Sequence, residues 1–185
     1  MMFHLTRILD DLFVFPVKSE DDGYEEGADG YWYKVHVSKA SHTLAERECS
    51  SEGAHLAVPW SKKSNNVIHQ MVKTKLKIHS IGNLLARIGI NDWKKEGKWV
   101  AYNGSELTYT NWADGEPNNV DDEDCGTMAK EDGTWHDFSC HSFEPFICQK
   151  VPGDYKYSQK KKKATATFLL FIHFCSMISF THQQS

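Results

Sequence analysis

The feature that most constrains this chain of 185 residues is a short acidic segment with no basic residue nearby. Its acids are Asp114, Glu116, Asp121, Asp122, Glu123 and Asp124. No Lys or Arg occurs between Lys98 and Lys130. Adjacent carboxylates repel one another, so an ordered loop that holds them together is unfavourable unless something neutralises their charge.

A bound calcium ion would neutralise such a loop. Calcium takes about six to eight oxygen ligands from carboxylates and Asn carbonyls, and Asn118 and Asn119 lie among the acids. The EF-hand spacing is absent, because no Gly follows a D-x-D-x-D series. The pattern alone leaves two interpretations open, a calcium site and a solvated acidic loop.

Three short motifs in this region resemble the primary calcium and sugar site of C-type lectin domains. They are the EPN run at 116–118, Glu123 placed two residues before Cys125, and the WHD run at 135–137 before Cys140. The family pattern is EPN followed by WND. The resemblance extends over about residues 31–150, and the motifs together are far more specific than any one of them.

The resemblance implies an α+β fold in which two helices flank small antiparallel sheets and a long calcium-binding loop region. We expect this domain over residues 24–150, after a leader or linker at 1–23. Residues 151–185 form a basic and then apolar tail outside it. The first segment does not fit a secretory signal, since Asp10, Asp11 and Pro16 interrupt its apolar run. The apolar stretch 168–180 is too short for a typical membrane span, which argues against membrane anchoring.

Periodicity predicts the main elements of the domain. Alternating residues indicate a strand over Tyr31–Val37, and a helix is expected after Ser41. A second helix is predicted from Asn65 to about Leu76, with His69 on its solvent side. The later predictions are a core strand around Ile88–Ile90, with Arg87 in place of the family's aromatic residue, a closing strand over Phe143–Cys148, and core positions for Trp112 and Trp135.

The resemblance also implies which residues bind calcium and sugar. The principal calcium ligands would be Glu116, Asn118, Glu123 and Asp137, and these residues with His136 would bind the carbohydrate. Asp92, Glu96, Asn119 and Asp124 would hold an auxiliary calcium, with a contribution from Glu123. The alternative is that Asp92 caps a turn and Glu96 pairs with Lys94 or Lys98.

His136 departs from the family pattern, which has Asn at this place. Imidazole nitrogen suits zinc or copper better than calcium, so we expect a weakened site, with the ring facing it. The competing interpretation is that the ring points away and only its backbone shapes the loop. Zinc is a minor alternative, because the resemblance puts Cys140 in a disulfide and too few ligands remain.

Five cysteines in a chain of this size indicate disulfides in an oxidising compartment, as opposed to buried thiols in a cytosolic protein. The resemblance implies the pairs Cys49–Cys148 and Cys125–Cys140 and leaves Cys175 over. We therefore expect a secreted, extracellular protein, although no clear signal peptide is visible.

The resemblance implies a calcium-dependent lectin for mannose-type glycans, such as microbial surface polysaccharide, with a role in innate pattern recognition. Within the family, collectins and secreted invertebrate hemolymph lectins are most similar to this chain; assembly into an oligomer stays open. The alternative is a protein-binding or matrix-adhesion module.

A hydrolase is disfavoured because clustered calcium-bound carboxylates do not raise the pKa of a general acid. The net charge of -4 gives no reason to expect nucleic-acid binding. Asn103 begins an N-x-S glycosylation sequon.

Overall fold

We describe the protein from a computed structural model, which covers residues 22–76 and 84–153 together with 164, 165 and 167. The leader at 1–21, the apolar stretch 168–180 and Cys175 lie outside the described residues. No helix within the described ranges is long and apolar enough to cross a membrane.

Two helices and a sheet of eight strands make up the domain. The helices are α1 (His42–Ser51) and α2 (Lys62–Lys75). The strands are β1 (Glu25–Glu26), β2 (Trp32–Ala40), β3 (His55–Leu56), β4 (Leu85–Asn91), β5 (Val100–Ala101), β6 (Cys125–Ala129), β7 (Trp135–Phe138) and β8 (Glu144–Lys150).

The strands form one connected mixed sheet, in the order β1-β2-β8-β4-β6-β7. Strand β3 pairs with β8, and β5 pairs with β4. All pairings are antiparallel except the contact between β4 and β8, where Arg87 lies opposite Phe146. The predicted α+β class is confirmed, but the sheets are joined into one, because β8 pairs on both sides with strands distant in sequence.

Helix α2 begins three residues before the predicted Asn65. Ser61 caps it, since its side chain accepts from the Ser64 backbone N–H while the Ser64 hydroxyl accepts from the Ser61 backbone N–H. Apolar periodicity does not mark this polar first turn. The prediction for His69 was wrong: its ring is half-buried, and its Nε2 lies 2.8 Å from the Lys130 carbonyl oxygen.

The core centres on Trp135, which is fully buried on β7. Its indole N–H donates to Asn65 Oδ1 at 2.7 Å, and Asn65 Nδ2 donates to the Gly133 carbonyl at 3.2 Å. Trp112 packs edge-on against the Trp135 ring at 5.6 Å. Both tryptophans therefore contribute to core packing, and the strand that carries the WHD motif is fixed at its first residue.

Arg87 is fully buried on β4, where the family pattern has an aromatic residue. Its guanidinium donates to the backbone carbonyls of Ala40, Ser139 and Ser142. Burial lowers the pKa of Arg87 to about 10, and the neighbouring Glu144 carboxylate partly opposes this. The arginine thus fastens the turn that follows β7 to the centre of the sheet.

Two disulfides fix the ends of this framework. Cys49 bonds to Cys148 across 99 residues and joins α1 to β8. Cys125 bonds to Cys140 across 15 residues and joins the start of β6 to the turn after β7. These are the pairs that the resemblance implied. In the chain-entropy model, loops of these lengths contribute about 3 to 5 kcal/mol each.

Candidate functional site

The acidic loop lies between Trp112 and β6, and its backbone is unusual. The Glu116–Pro117 peptide bond is cis, and Asn119, Asp121 and Asp122 have φ values of 50°, 56° and 68°. Positive φ is uncommon outside glycine, and Asn and Asp tolerate it best among the other residues. The three non-glycine residues with positive φ in this loop are therefore of the types that adopt this conformation most readily.

Backbone hydrogen bonds tie this loop to β7. The Asn119 N–H donates to Asp137 Oδ2 at 2.6 Å, and the Glu123 N–H donates to Asn119 Oδ1 at 2.9 Å. Asp137 is held by strand pairing with Gly126 on β6. Strand β7 therefore positions the Asp137 carboxylate, and the acidic loop is attached to that carboxylate through the Asn119 N–H.

The side chains of the EPN and WHD motifs meet at Glu116. Asn118 Nδ2 donates to Glu116 Oε2 at 2.8 Å, and His136 Nδ1 lies 3.2 Å from Glu116 Oε1. Since an ionised carboxylate only accepts hydrogen bonds, this places the proton of a neutral His136 ring on Nδ1. The His136 ring is oriented toward the proposed principal site, as we expected.

Asp137 is the most deeply buried of these acids, with 2% of its surface exposed. Its Oδ1 accepts no hydrogen bond from the described part of the chain. Burial raises the pKa of Glu116 and of Glu123, and the nearby Asp137 carboxylate adds to both effects. The site therefore brings the carboxyl groups of Glu116 and Asp137 side by side, and the Asp137 Oδ1 accepts no N–H hydrogen bond from the described residues.

A second acidic cluster is formed by Asp92, Glu96 and Asp124, each of which offers an oxygen within 4.8 Å of the others. Asp92 directly follows β4, and its backbone N–H donates to the Asp124 carbonyl at 3.1 Å. Lys98 pairs with Glu106 at 3.3 Å. Strand β4 and the start of β6 thus bring together residues that lie more than 25 positions apart in sequence.

Asp92 closes a turn with one carboxylate oxygen and leaves the other without a hydrogen bond within the described ranges. Its Oδ2 accepts from the Gly97 N–H at 2.8 Å and so closes the turn, while its Oδ1 has no partner among the described residues. Burial raises the pKa of Asp92 to about 6; the Gly97 hydrogen bond opposes this, and the charges of Glu96, Asp124 and Asp137 add to it. A carboxylate that is 2% exposed therefore keeps one oxygen free beside two other acids.

The donor chemistry of both clusters fits calcium. Hard oxygen donors come from carboxylates and from the Asn118 and Asn119 amides, and two buried carboxylate oxygens have no protein partner. Zinc fits less well, because Cys140 is bonded to Cys125 and cannot ligate a metal. His136 adds an imidazole nitrogen, Nδ1, beside Glu116 of the principal cluster.

Sequence reasoning missed residues that support the site without belonging to its motifs. Thr127 is buried on β6, and its Oγ1 donates to the His136 carbonyl oxygen at 3.0 Å. The Gly97 N–H holds Asp92. Neither residue carries a sequence signal, since a lone Thr in a strand and a Gly in a turn are ordinary in any fold.

Comparisons with known proteins agree with this architecture. The profile of the family described as "Lectin C-type domain" matches residues 38–150. Human "C-type lectin domain family 17, member A" is 34% identical over 122 residues, which are 66% of this chain and 30% of that protein. The "Mannose-binding protein" of Gallus gallus is 33% identical over 99 residues, 54% of this chain and 35% of that protein. This chain thus spans about a third of the length of these relatives.

Among solved structures, the carbohydrate-recognition domain of the mouse scavenger receptor C-type lectin superposes with a TM-score of 0.60. It is 27% identical in sequence, and the match covers 70% of this chain and 95% of that domain.

Proposed function

Because the chain belongs to the C-type lectin domain family, we propose that it is a calcium-dependent lectin for mannose-type glycans. Domains of this family generally bind carbohydrates and do not catalyse reactions. The observation that carries the proposal is the buried Asp137 carboxylate, whose Oδ1 accepts no N–H hydrogen bond from the described residues and which lies beside the Glu116 carboxyl group of the EPN loop. Such an oxygen costs free energy unless a cation or another donor satisfies it.

In this proposal Glu116, Asn118, Glu123 and Asp137 hold the principal calcium. Bound there, the ion would supply open coordination positions for two neighbouring sugar hydroxyls. Glu116 would accept a hydrogen bond from one hydroxyl, and the Asn118 amide would donate to the other. The EPN order of acceptor and donor resembles that of family members that prefer mannose, whereas a QPD order goes with galactose.

Asp92, Glu96, Asn119 and Asp124 hold the auxiliary calcium in the same proposal. Its role would be structural, because the Asp92 turn and the start of β6 meet there. An ion at this cluster offsets the repulsion among its acids and so stabilises the base of the acidic loop.

We further propose that residues 24–150 form the functional unit and that it acts outside the cell. Two disulfides support an oxidising compartment. Recognition of microbial surface polysaccharide in innate defence is the role that best suits a mannose-type site. Assembly of several copies would increase avidity for such repeating ligands.

Binding to mannan tests the proposal. We expect binding with calcium, its loss with excess chelator and its recovery when calcium is restored. The double change Glu116→Gln with Asn118→Asp should move preference toward galactose, because it exchanges acceptor and donor. Asp114→Asn is the matched control, since Asp114 lies exposed in the same segment and is no proposed ligand. Mannan binding that survives chelation would rule this mechanism out, whereas a folded protein that binds no mannan even with calcium would favour the protein-binding or matrix-adhesion module.

A further inference from the structure

One motif lies apart from the calcium clusters and has no role in the proposed lectin function. The chain contains a single N-x-S/T sequon, Asn103-Gly104-Ser105. It occupies the tight turn after β5, where the Gly104 N–H donates to the Ala101 carbonyl and the Ala101 N–H donates to the Ser105 carbonyl. We propose that Asn103 is a site of N-linked glycosylation.

The turn presents Asn103 to solvent. Residues 102–106 are all exposed, and a Cβ atom added at Gly104 would meet nothing within 4 Å. Gly104 itself has a φ of +81°, which glycine adopts without strain. Space for a large substituent therefore exists on the outer side of the turn.

Hydrogen bonding in the turn orients the Asn103 amide. Its Oδ1 accepts from the Ser105 N–H at 3.0 Å and from the Ser105 hydroxyl at 2.6 Å. Its Nδ2 makes no hydrogen bond to the described residues and stays open to substitution. A glycosylated asparagine keeps its carbonyl oxygen and one N–H. The two hydrogen bonds that Asn103 Oδ1 accepts from Ser105 are therefore compatible with the modification.

The strand register separates this turn from the proposed calcium clusters. Asn91, which precedes Asp92, pairs with Val100, and the Tyr102 N–H donates to the Gly89 carbonyl. The chain therefore moves along β4 away from Asp92 before it reaches Asn103. A glycan here would project beside the Tyr102 ring, which is 40% exposed and stacks on His55 at 3.9 Å.

The two disulfides place the domain in a compartment of the kind in which N-glycosylation occurs. The co-reactant is a lipid diphosphate-linked oligosaccharide, used by an oligosaccharyltransferase. The Asn103 Nδ2 forms a bond to the anomeric carbon, the bond from that carbon to the diphosphate oxygen breaks, and the amide loses one proton to the medium. No oxidation or reduction is involved.

Translation of the full chain, fused to a secretory leader, in the presence of endoplasmic-reticulum microsomes tests this proposal directly. The protease-protected chain should migrate as a heavier band that peptide N-glycosidase converts to the unmodified size. Peptide mapping in heavy-oxygen water should locate the resulting aspartate at position 103. A protected chain that carries unmodified Asn103 would overturn the proposal.

Matched variants make the assignment specific. Asn103→Gln and Ser105→Ala should each abolish the shift, whereas Ser105→Thr should retain it. Asn66→Gln is the control, because Asn66 is exposed but begins no sequon. A heavier band that persists in both Asn103→Gln and Ser105→Ala would equally contradict the proposal. The band shift does not depend on folding or on sugar binding, so its outcome is independent of the lectin assignment.

Discussion

Two regions of this domain bury polar groups in opposite ways. On strand β8, the Gln149 side chain is fully buried, accepts from the Val58 N–H at 3.1 Å and donates to the Tyr33 hydroxyl at 3.1 Å. That hydroxyl donates in turn to Asp29 at 2.7 Å. In the acidic loop region, Asp92 and Asp137 are buried just as deeply, yet each keeps one carboxylate oxygen without a partner in the described chain.

This difference distinguishes polar groups that the chain satisfies by itself from carboxylates for which we propose a cation. The Gln149 and Tyr33 side chains find their hydrogen-bond partners within the protein, so their contribution to stability requires no metal ion. The acidic loop leaves charge unbalanced among several carboxylates, so we expect its stability to depend on calcium. Ligand binding to such a native site stabilises it in proportion to the logarithm of ligand concentration.

The largest expected effect comes from removing the charge at the centre of the loop region. Asp137→Asn keeps an oxygen for the Asn119 N–H but loses a calcium ligand and a negative charge. Calcium affinity should fall by about 100-fold, or about 2.7 kcal/mol, and mannan binding with it. Calorimetric calcium titration measures this, with Asp114→Asn as the unaffected control.

The stability of the same variant in the absence of calcium also tests the comparison. If the Asp137 charge is uncompensated in the calcium-free protein, Asp137→Asn should unfold at a denaturant concentration equal to or higher than that of the original protein. A clear loss of stability in the calcium-free state would mean that the carboxylate is already satisfied within the fold.

A change in the hydrogen-bonded core should lower stability equally with and without calcium. Asn65→Ala removes the acceptor of the Trp135 indole and leaves that N–H buried and unpaired. The free energy of unfolding should fall by about 2 kcal/mol, by the same amount with calcium as without it. Asn66→Ala is the control, since Asn66 is exposed on the same helix. Denaturant unfolding of the two variants, with and without calcium, measures these changes. If calcium restored the stability that Asn65→Ala loses, the core and the acidic loop would be coupled, against our expectation.

The sequence predicted which side chains lie together in the candidate site better than it predicted the contacts that support them. The EPN and WHD motifs identified residues that the fold brings together around Glu116. In contrast, apolar periodicity does not reveal the local cap that Ser61 and Ser64 form at the start of α2, and the burial of His69 depends on tertiary packing against Lys130. The parallel contact between β4 and β8 likewise joins strands that are far apart along the chain.

Arg87 illustrates the same limit. In a strand pattern, an arginine reads as a surface residue or a local irregularity. The structure buries it because three backbone carbonyls, from β2 and from the turn after β7, converge on its guanidinium. Only the assembled fold reveals such partners, since Ala40 and Ser142 are more than 40 positions away.

The smallest expected effect concerns His136, whose Nδ1 faces Glu116. His136→Asn replaces an imidazole nitrogen by a carbonyl oxygen, which calcium prefers. Calcium affinity should therefore rise by about threefold to tenfold. Calcium titration at neutral pH measures this change, with the exposed His141→Asn as control. Equal affinities for the original protein and His136→Asn would show that the His136 ring has no part in the site.

Amide hydrogen exchange with and without calcium tests the central contrast most directly, because it resolves stability region by region. Calcium should slow exchange strongly at residues 116–124 and 92–97, where the Asn119, Glu123 and Gly97 N–H groups donate to site residues. Strands β2 and β8 and helix α2 should change little. Exchange that calcium leaves unaltered in the acidic loop, or slows equally throughout the domain, would contradict the account.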